Sequence, residues 1–280
     1  MFLPFEQQRG AFGNRILYYL AIPHTVYERE ASVKEIRCVF PDSASLAHGA
    51  AEMFVGLARD VIAAQGRFSA ALSGGTTPSL LFGLLGSEYG DKLRWEYVNL
   101  FWTDERAVPP DQEQSNFRIA NAELISKIAI PVENVHRMQG EIAPTEAAEI
   151  YERELRQYFG EAGIPEFDLI LLGVGEDGHT ASLFPGSKAL SEKQRFVLPV
   201  FSDASPNWRI TLTMPVLNNA SHLVFLVSGK SKAGIIGNIL GKGNSAGYPA
   251  GVIKPIRGTV TWLLDKEAAV RLETARYDTG

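Results

Sequence analysis

The strongest indication of the fold is the stretch Phe68-Ser69-Ala70-Ala71-Leu72-Ser73-Gly74-Gly75-Thr76-Thr77-Pro78. Its first five residues are apolar or small and too few for a helix, so they predict a buried strand. The glycines then predict a tight turn, and Thr77 and Pro78 suit the cap and the first position of a helix over residues 79–85. A strand that turns through glycine into a helix is the building unit of an α/β sheet.

The same order of strand, loop and helix recurs along the chain. Apolar residues at helical spacing predict a helix over residues 46–62, capped by Asp42 or Ser43, and another over residues 145–159. Further strands are predicted at residues 98–102, 167–172, 209–213, 223–228 and 258–264. Residues 31–280 are therefore predicted to form one α/β domain, with a mostly parallel, Rossmann-like open sheet and helices on both of its faces.

Two segments are predicted to lie outside the packed domain or on its surface. A signal peptide is not favoured in residues 1–30, because the apolar run over residues 16–22 is short and no small-residue cleavage site follows it. Residues 1–30 are instead predicted to be a poorly ordered extension or the result of a start codon placed too early. Residues 241–251 are rich in glycine and predict a mobile surface loop. No run reaches the roughly 20 apolar residues that a membrane span requires.

Composition restricts the classes of function. The chain has 280 residues, of which 45% are hydrophobic and 21% charged, as in ordinary globular proteins. Its net charge of −5 argues against binding to nucleic acid or an anionic membrane through the overall field. Cys38 is the only cysteine, which excludes an intramolecular disulfide and favours a reducing cytoplasm. His24, His48, His136 and His222 show no metal-ligand spacing with carboxylates or Cys38, so no metal is expected. No cofactor is expected either.

Unusual polar residues follow the predicted strands, at the edge where open α/β sheets bind ligands. After the first strand, Ser73, Gly74, Gly75 and Thr76 could turn backbone N–H groups and a helix N-terminus toward a phosphate. An ordinary strand-to-helix turn would explain the same residues. The site hypothesis therefore depends on the other loops.

A second polar loop is predicted at Thr103-Asp104-Glu105-Arg106. It is either a solvated loop or a ligand site in which Arg106 faces the ligand while Asp104 or Glu105 orients neighbouring groups. Two cations, Arg209 and Lys230, also occur at strand ends. Each alone is typical of a surface charge, but together they suggest that a dianion is neutralised.

The third loop, residues 173–186, begins with a G-x-G-x-x-G pattern after a strand. A nicotinamide cofactor is rejected, because Pro185-Gly186 would interrupt the helix that this fingerprint needs. The informative residue is His179, since an imidazole can take a proton from water near neutral pH. A G-x-S-x-G match at residues 243–247 follows a predicted helix rather than a strand, so it lacks the context of a nucleophile elbow.

Together these motifs resemble the 6-phosphogluconolactonase family. The matching elements are residues 73–78, residues 102–106 with Ser115-Asn116, residues 177–186, residues 209–218 and Gly229-Lys230. Glucosamine-6-phosphate deaminases, which share the superfamily, also have the Gly-Glu-Asp-Gly-His loop at residues 175–179. They continue with an Asn-Glu-Pro element, whereas this chain has Ser182-Leu183-Phe184-Pro185. That difference favours the lactonases.

The resemblance implies a cytoplasmic enzyme that hydrolyses a phosphorylated sugar lactone in the oxidative pentose phosphate pathway, as a monomer or small homo-oligomer. His179 would act as general base on water, Asp177 would set the geometry or charge of His179, and Arg106 would stabilise the oxyanion. Substrate and phosphate would be bound by Ser73, Gly74, Gly75, Thr76, Asp104, Arg209 and Lys230. The alternatives are a glucosamine-6-phosphate deaminase and a non-catalytic sugar-phosphate sensor.

Overall fold

The computed structural model describes residues 25–29, 34–202, 207–241 and 245–274. The strands are β1 Thr25–Arg29, β2 Lys34–Phe40, β3 Phe68–Leu72, β4 Val98–Trp102, β5 Asp104–Arg106, β6 Leu169–Leu172, β7 Val197–Ser202, β8 Asn207–Leu212, β9 His222–Val227 and β10 Thr259–Asp265. The α-helices are α1 Ser43–Gln65, α2 Thr76–Ser87, α3 Asn116–Glu123, α4 Pro144–Phe159, α5 Met214–Leu217, α6 Ala233–Leu240, α7 Pro249–Val252 and α8 Lys266–Thr274.

Seven strands form the main sheet, in the order β1-β2-β10-β9-β6-β3-β4. Among the described strands of this sheet, only β1 runs antiparallel to its neighbour, and the other pairs are parallel. Strands β3, β4, β6, β9 and β10 are buried along their whole length, so both faces of the sheet are covered. The predicted α/β fold with a mostly parallel open sheet is confirmed.

A second, antiparallel sheet has the order β5-β8-β7. Residues 103–106 were predicted to form a loop, and this was wrong, because β5 pairs with β8 and sets Arg106 opposite Arg209. Thr103 joins the two sheets: its N–H donates to the Leu72 carbonyl at 2.8 Å and its carbonyl accepts the Leu212 N–H at 2.8 Å. The pairing satisfies backbone groups that a buried loop would leave unbonded.

The sequence predicted the N-cap of helix α1 correctly but not that of helix α2. Asp42 caps α1 as expected, since its side chain accepts the Ser45 N–H at 2.8 Å. Helix α2 begins at Thr76 with Gly75 as its N-cap, so the prediction that Thr77 caps this helix was wrong. Thr77 instead shares a hydrogen bond of 2.8 Å with the Ser228 hydroxyl at the end of β9.

The predicted domain boundary at residue 31 divides a pair of strands. Strand β1 pairs with β2 from Thr25 opposite Val39 to Arg29 opposite Glu35. A parallel edge strand has unpaired N–H and C=O groups that a further strand can take up. Residues 25–29 therefore belong to the sheet, in contrast to the predicted extension over residues 1–30. Residues 1–24 lie outside the described part.

The predicted mobile loop over residues 241–251 is largely ordered secondary structure. Ser245–Gly247 form a 3₁₀ turn and Pro249–Val252 form α7. Pro249 and Ala250 are buried, and the Ala250 N–H donates to the Gly178 carbonyl at 3.0 Å. This segment therefore packs against the loop that contains His179. Residues 242–244 lie outside the described part.

The core lies between the sheet and its helices. Its largest fully buried side chains include Phe54, Phe68, Phe101 and Phe225. Cys38 is also buried, which raises the pKa of its thiol to about 12 and makes it a poor nucleophile. Within the described residues, no helix has the length and apolarity needed to cross a bilayer.

Candidate active site

A cleft with a volume of about 250 Å³ opens at the carboxyl edge of the main sheet. Loops after β3, β6 and β9 meet there with residues of β5 and β8. The predicted site residues that line it are Ser73, Gly74, Gly75, Thr76, Asp104, Arg106, His179 and Arg209. Segments distant in sequence converge because parallel strands end at one edge of a sheet.

His179 and Asp177 form a hydrogen-bonded pair in the loop after β6. His179 Nδ1 lies 2.6 Å from Asp177 Oδ1, and the same oxygen accepts the His179 backbone N–H at 3.1 Å. Partial burial acts to raise the pKa of Asp177, but the hydrogen bonds and charge of His179 outweigh it and lower the pKa. The ionised carboxylate can only accept, so Nδ1 carries the proton and donates this hydrogen bond, and in the neutral imidazole Nε2 is then an acceptor. The imidazole is 31% exposed, so water can reach it.

Two glycines of the G-x-G-x-x-G pattern shape the loop around this pair. A Cβ at Gly175 would lie 2.1 Å from His179 Nδ1 and 2.6 Å from Asp177 Oδ1. Gly178 has a φ of +82°, and a Cβ there would lie 2.6 Å from the Tyr248 ring. The absence of a side chain at these two positions therefore lets the loop hold His179 against Asp177 and pack against Tyr248.

The N-terminus of helix α2 faces the cleft. Among the described residues no side chain caps its first turn, which leaves the N–H groups there available to an anion. Ser73 lies just before this turn, and its hydroxyl is buried with no hydrogen-bond partner in the described part of the chain. Both features suit the binding of an anion.

Two guanidinium groups line the same cleft. Arg106 Nη1 donates to the Gln114 carbonyl at 2.7 Å and to the Asn116 side-chain oxygen. Arg209 Nη1 lies 4.0 Å from Asp104 Oδ2. Burial lowers the pKa of Arg209, and the charge of Asp104 opposes that shift.

The Nε atoms of both arginines are buried and have no hydrogen-bond partner among the described residues. Three residues that line one cleft, Ser73, Arg106 and Arg209, thus each carry a buried donor without a partner among the described residues. Buried donors in native proteins are almost always paired, so these three indicate a ligand that accepts hydrogen bonds. Because two of them are cationic, an anionic ligand fits best.

Asp104 and Glu105 have different roles. The sequence did not decide which of the two orients groups at the site. Asp104 lines the cleft and accepts the Ser182 hydroxyl at 2.7 Å, so it ties β5 to the histidine loop. Glu105 lies outside the cleft. Its carboxylate accepts the N–H groups of Asn116 at 2.7 Å and Phe117 at 2.8 Å, and the Ser115 hydroxyl at 3.0 Å. Burial raises the pKa of Glu105, and these hydrogen bonds oppose the shift.

Replacing Glu105 with alanine is expected to lower the free energy of unfolding by about 2–4 kcal/mol, because several buried donors at the start of α3 would lose their acceptor. Urea unfolding measures this loss. Glu113→Ala is the matched control, since Glu113 is exposed in the preceding loop. A loss for Glu105→Ala of under about 0.5 kcal/mol, the range of ordinary surface substitutions, would contradict this role.

Lys230 is the predicted ligand residue that the structure does not bring to the cleft. It is exposed, and its backbone N–H donates to Glu267 Oε2 at 3.2 Å. Lys232, half-buried at the end of the same 3₁₀ turn, lines the cleft in its place. In a helix with three residues per turn, positions two apart point in different directions. Asn116 and Ser228 also line the cleft. The sequence indicated Asn116 only as part of a motif and assigned neither residue to the site.

A larger cavity, of about 430 Å³, lies at the opposite, amino-terminal edge of the sheet. Its ionisable groups include Asp168 and His222. Asp168 accepts the N–H and hydroxyl of Ser69 at 2.8 and 2.7 Å, and burial raises its pKa. His222 is buried, which lowers its pKa, and its Nδ1 lies 3.0 Å from the Asp168 carbonyl. The converging unpaired donors and the His–Asp pair, rather than cavity size, therefore identify the candidate active site.

No group of three or more His, Cys, Asp or Glu side chains in the described ranges is arranged to hold a metal ion. The fold and the cleft define an α/β protein with a candidate anion-binding cleft that contains a histidine. Comparison with known proteins gives the family. The family model described as glucosamine-6-phosphate isomerases/6-phosphogluconolactonase matches residues 41–262.

Relatives of this family cover most of the chain. A 6-phosphogluconolactonase of Synechocystis is 43% identical over 75% of this chain and 87% of its own. The human 6-phosphogluconolactonase is 38% identical over 86% of this chain and 94% of its own. A solved 6-phosphogluconolactonase from Trypanosoma cruzi superposes with a TM-score of 0.77 at 33% identity, over 84% of this chain and 96% of its own. The chain belongs to the glucosamine-6-phosphate isomerase/6-phosphogluconolactonase family.

Proposed function

We propose that the chain hydrolyses 6-phospho-D-glucono-1,5-lactone to 6-phosphogluconate, in the oxidative pentose phosphate pathway. The relatives described above bear the name of this activity. The observation that carries the proposal is that the His179–Asp177 pair lies at the same cleft as the uncapped N-terminus of α2 and two guanidinium groups. A general base and an anion site are the two features that this substrate requires.

His179 is the general base. Its Nε2 takes a proton from water, and the oxygen of that water attacks the lactone carbonyl carbon C1. Asp177 holds the ring through Nδ1 and stabilises the imidazolium that forms. When the ring C–O bond breaks, the proton passes to the departing ring oxygen. One water is added to one lactone, and no cofactor takes part.

The cationic side chains have two tasks: one stabilises the charge that develops on the lactone carbonyl oxygen, and the others bind the phosphate. Arg106 stabilises the oxyanion that develops on the carbonyl oxygen. The phosphate is bound by the first turn of α2 and the Ser73 hydroxyl, with Arg209 and Lys232 supplying charge. Lys232 takes the place that the sequence suggested for Lys230.

The enzyme acts in the cytoplasm, as a monomer or a small homo-oligomer, and its partner is the small phosphorylated lactone rather than nucleic acid. Net charge and the single cysteine support this setting.

The proposal is tested by supplying fresh 6-phosphoglucono-1,5-lactone and, separately, glucosamine 6-phosphate. Acid release above the spontaneous rate is expected from the first, and no ammonia from the second. Ammonia release would identify a deaminase. Binding of either compound without turnover would identify a sensor.

Gly175→Ala is expected to lower kcat for the lactone by about tenfold or more, since its Cβ must displace the His179 ring from Asp177 and weaken general-base catalysis. Steady-state kinetics measures the effect. Gly247→Ala is the matched control, because Gly247 lies outside the cleft and a Cβ there meets nothing within 4 Å. Equal kcat values for the two variants would show that the contact with Asp177 is not needed.

A further inference from the structure

Asn116 lies where three parts of the candidate site meet. It is 1% exposed and lines the cleft at the start of helix α3. Its side-chain oxygen accepts a hydrogen bond from Arg106 Nη1, and its Nδ2 donates to the Asp104 carbonyl at 2.8 Å. A Cβ at Gly74 would lie 1.7 Å from Asn116 Oδ1, so the amide also packs directly against the loop after β3.

The orientation of this amide follows from its partners. A guanidinium can only donate and a backbone carbonyl can only accept, so Oδ1 must face Arg106 and Nδ2 must face Asp104. The Asn116 backbone N–H is held in turn by Glu105 Oε1 at 2.7 Å. Hydrogen bonds therefore fix both the backbone N–H of Asn116 and its side-chain amide.

We propose that Asn116 is a positioning residue for the lactonase reaction, which holds the Arg106 guanidinium so that its unpaired Nε–H stays at the cleft. The inference rests on the proposed function of Arg106 at the oxyanion. With Nη1 fixed by Asn116 and the Gln114 carbonyl, the Nε–H is presented in one orientation. Donors aligned before the reaction stabilise a developing charge without reorganising during it.

Asn116→Ala is expected to lower kcat/KM for the lactone by about tenfold or more, the usual effect of losing a hydrogen bond to a charged group. The loss should fall on kcat rather than KM. Asn121→Ala, exposed on the same helix, is the matched control and should leave both unchanged.

The coupling of Asn116 to Arg106 separates positioning from a structural role. In an Arg106→Ala background, Asn116→Ala should cost less than threefold, because the group that it positions is gone. Full additivity of the two losses would overturn the proposal. If Arg106→Ala alone has no effect, the proposed role of Arg106 fails, and the inference about kcat fails with it.

Gly74→Ala gives an independent variant should Asn116→Ala fold poorly. Its Cβ must push the Asn116 amide aside, so it should reproduce the loss in kcat and add little once residue 116 is alanine. A Gly74→Ala variant with unaltered kcat would contradict the proposal.

A readout without turnover separates this inference from the proposed function. The Arg106 Nε–H signal in ¹⁵N NMR should exchange slowly with solvent in the unaltered chain and at least tenfold faster in Asn116→Ala. Equal exchange rates would show that Asn116 does not hold Arg106, whether or not the chain hydrolyses the lactone. If exchange is slow and depends on Asn116 but the chain has no lactonase activity, then Asn116 does position Arg106 and the proposed function is wrong.

Discussion

Alanine in place of His179 is expected to lower kcat for 6-phosphoglucono-1,5-lactone by about 10² to 10⁴, the range that general-base catalysis contributes, with little change in KM. The expectation follows from the pair with Asp177, which leaves Nε2 of the partly exposed imidazole as the acceptor for a proton of water. Stopped-flow measurement of acid release, corrected for spontaneous hydrolysis, gives both constants.

His48→Ala is the matched control for this variant. His48 lies on helix α1, outside the cleft, and its Nδ1 is 3.9 Å from Glu88. It should retain the kcat of the unaltered chain. A His179→Ala variant that also retained it would remove His179 from the mechanism.

Arg209→Ala is expected to raise KM by about tenfold to 100-fold, because a hydrogen bond to a charged group contributes about 1.5–3 kcal/mol and each 1.4 kcal/mol is a factor of ten. The Arg209 side chain is 12% exposed and lies at the cleft, and its buried Nε–H has no partner within the described part of the chain. Its effect should therefore exceed that of a surface cation. Binding of 6-phosphogluconate by calorimetry measures the same loss without turnover.

Arg153→Ala, exposed on helix α4, controls for the loss of one positive charge. Arg209→Lys is informative as well, because it keeps the charge but not the planar fork of donors. If Arg209→Ala bound 6-phosphogluconate as tightly as Arg153→Ala does, the phosphate site would lie elsewhere.

The buried strands could be predicted because their signal is local. Residues 68–72 and 98–102 are short apolar runs that end at a glycine loop or a charged residue, and the structure places β3 and β4 at those bounds. Burial on both faces requires such continuous runs, so the sequence of a central parallel strand is distinctive. The loops after these strands then locate the cleft.

Features that depend on distant pairing could not be predicted in this way. Strand β5 is Asp104-Glu105-Arg106, which has no apolar pattern and exists because β8 lies beside it. Thr77 looks like a helix cap, but its hydroxyl meets Ser228, a residue 151 positions away. Lys230 and Lys232 are equivalent in sequence, and only the phase of the 3₁₀ turn separates them.

The most direct test of the proposed site is a titration of the ¹⁵N-labelled chain with 6-phosphogluconate, followed by NMR. Large shifts are expected for the backbone amides of Gly75 and Thr76 and for the side chain of His179, with His222 unaffected. Shifts at His222 instead, in the larger cavity at the other edge of the sheet, would contradict the placement of the active site.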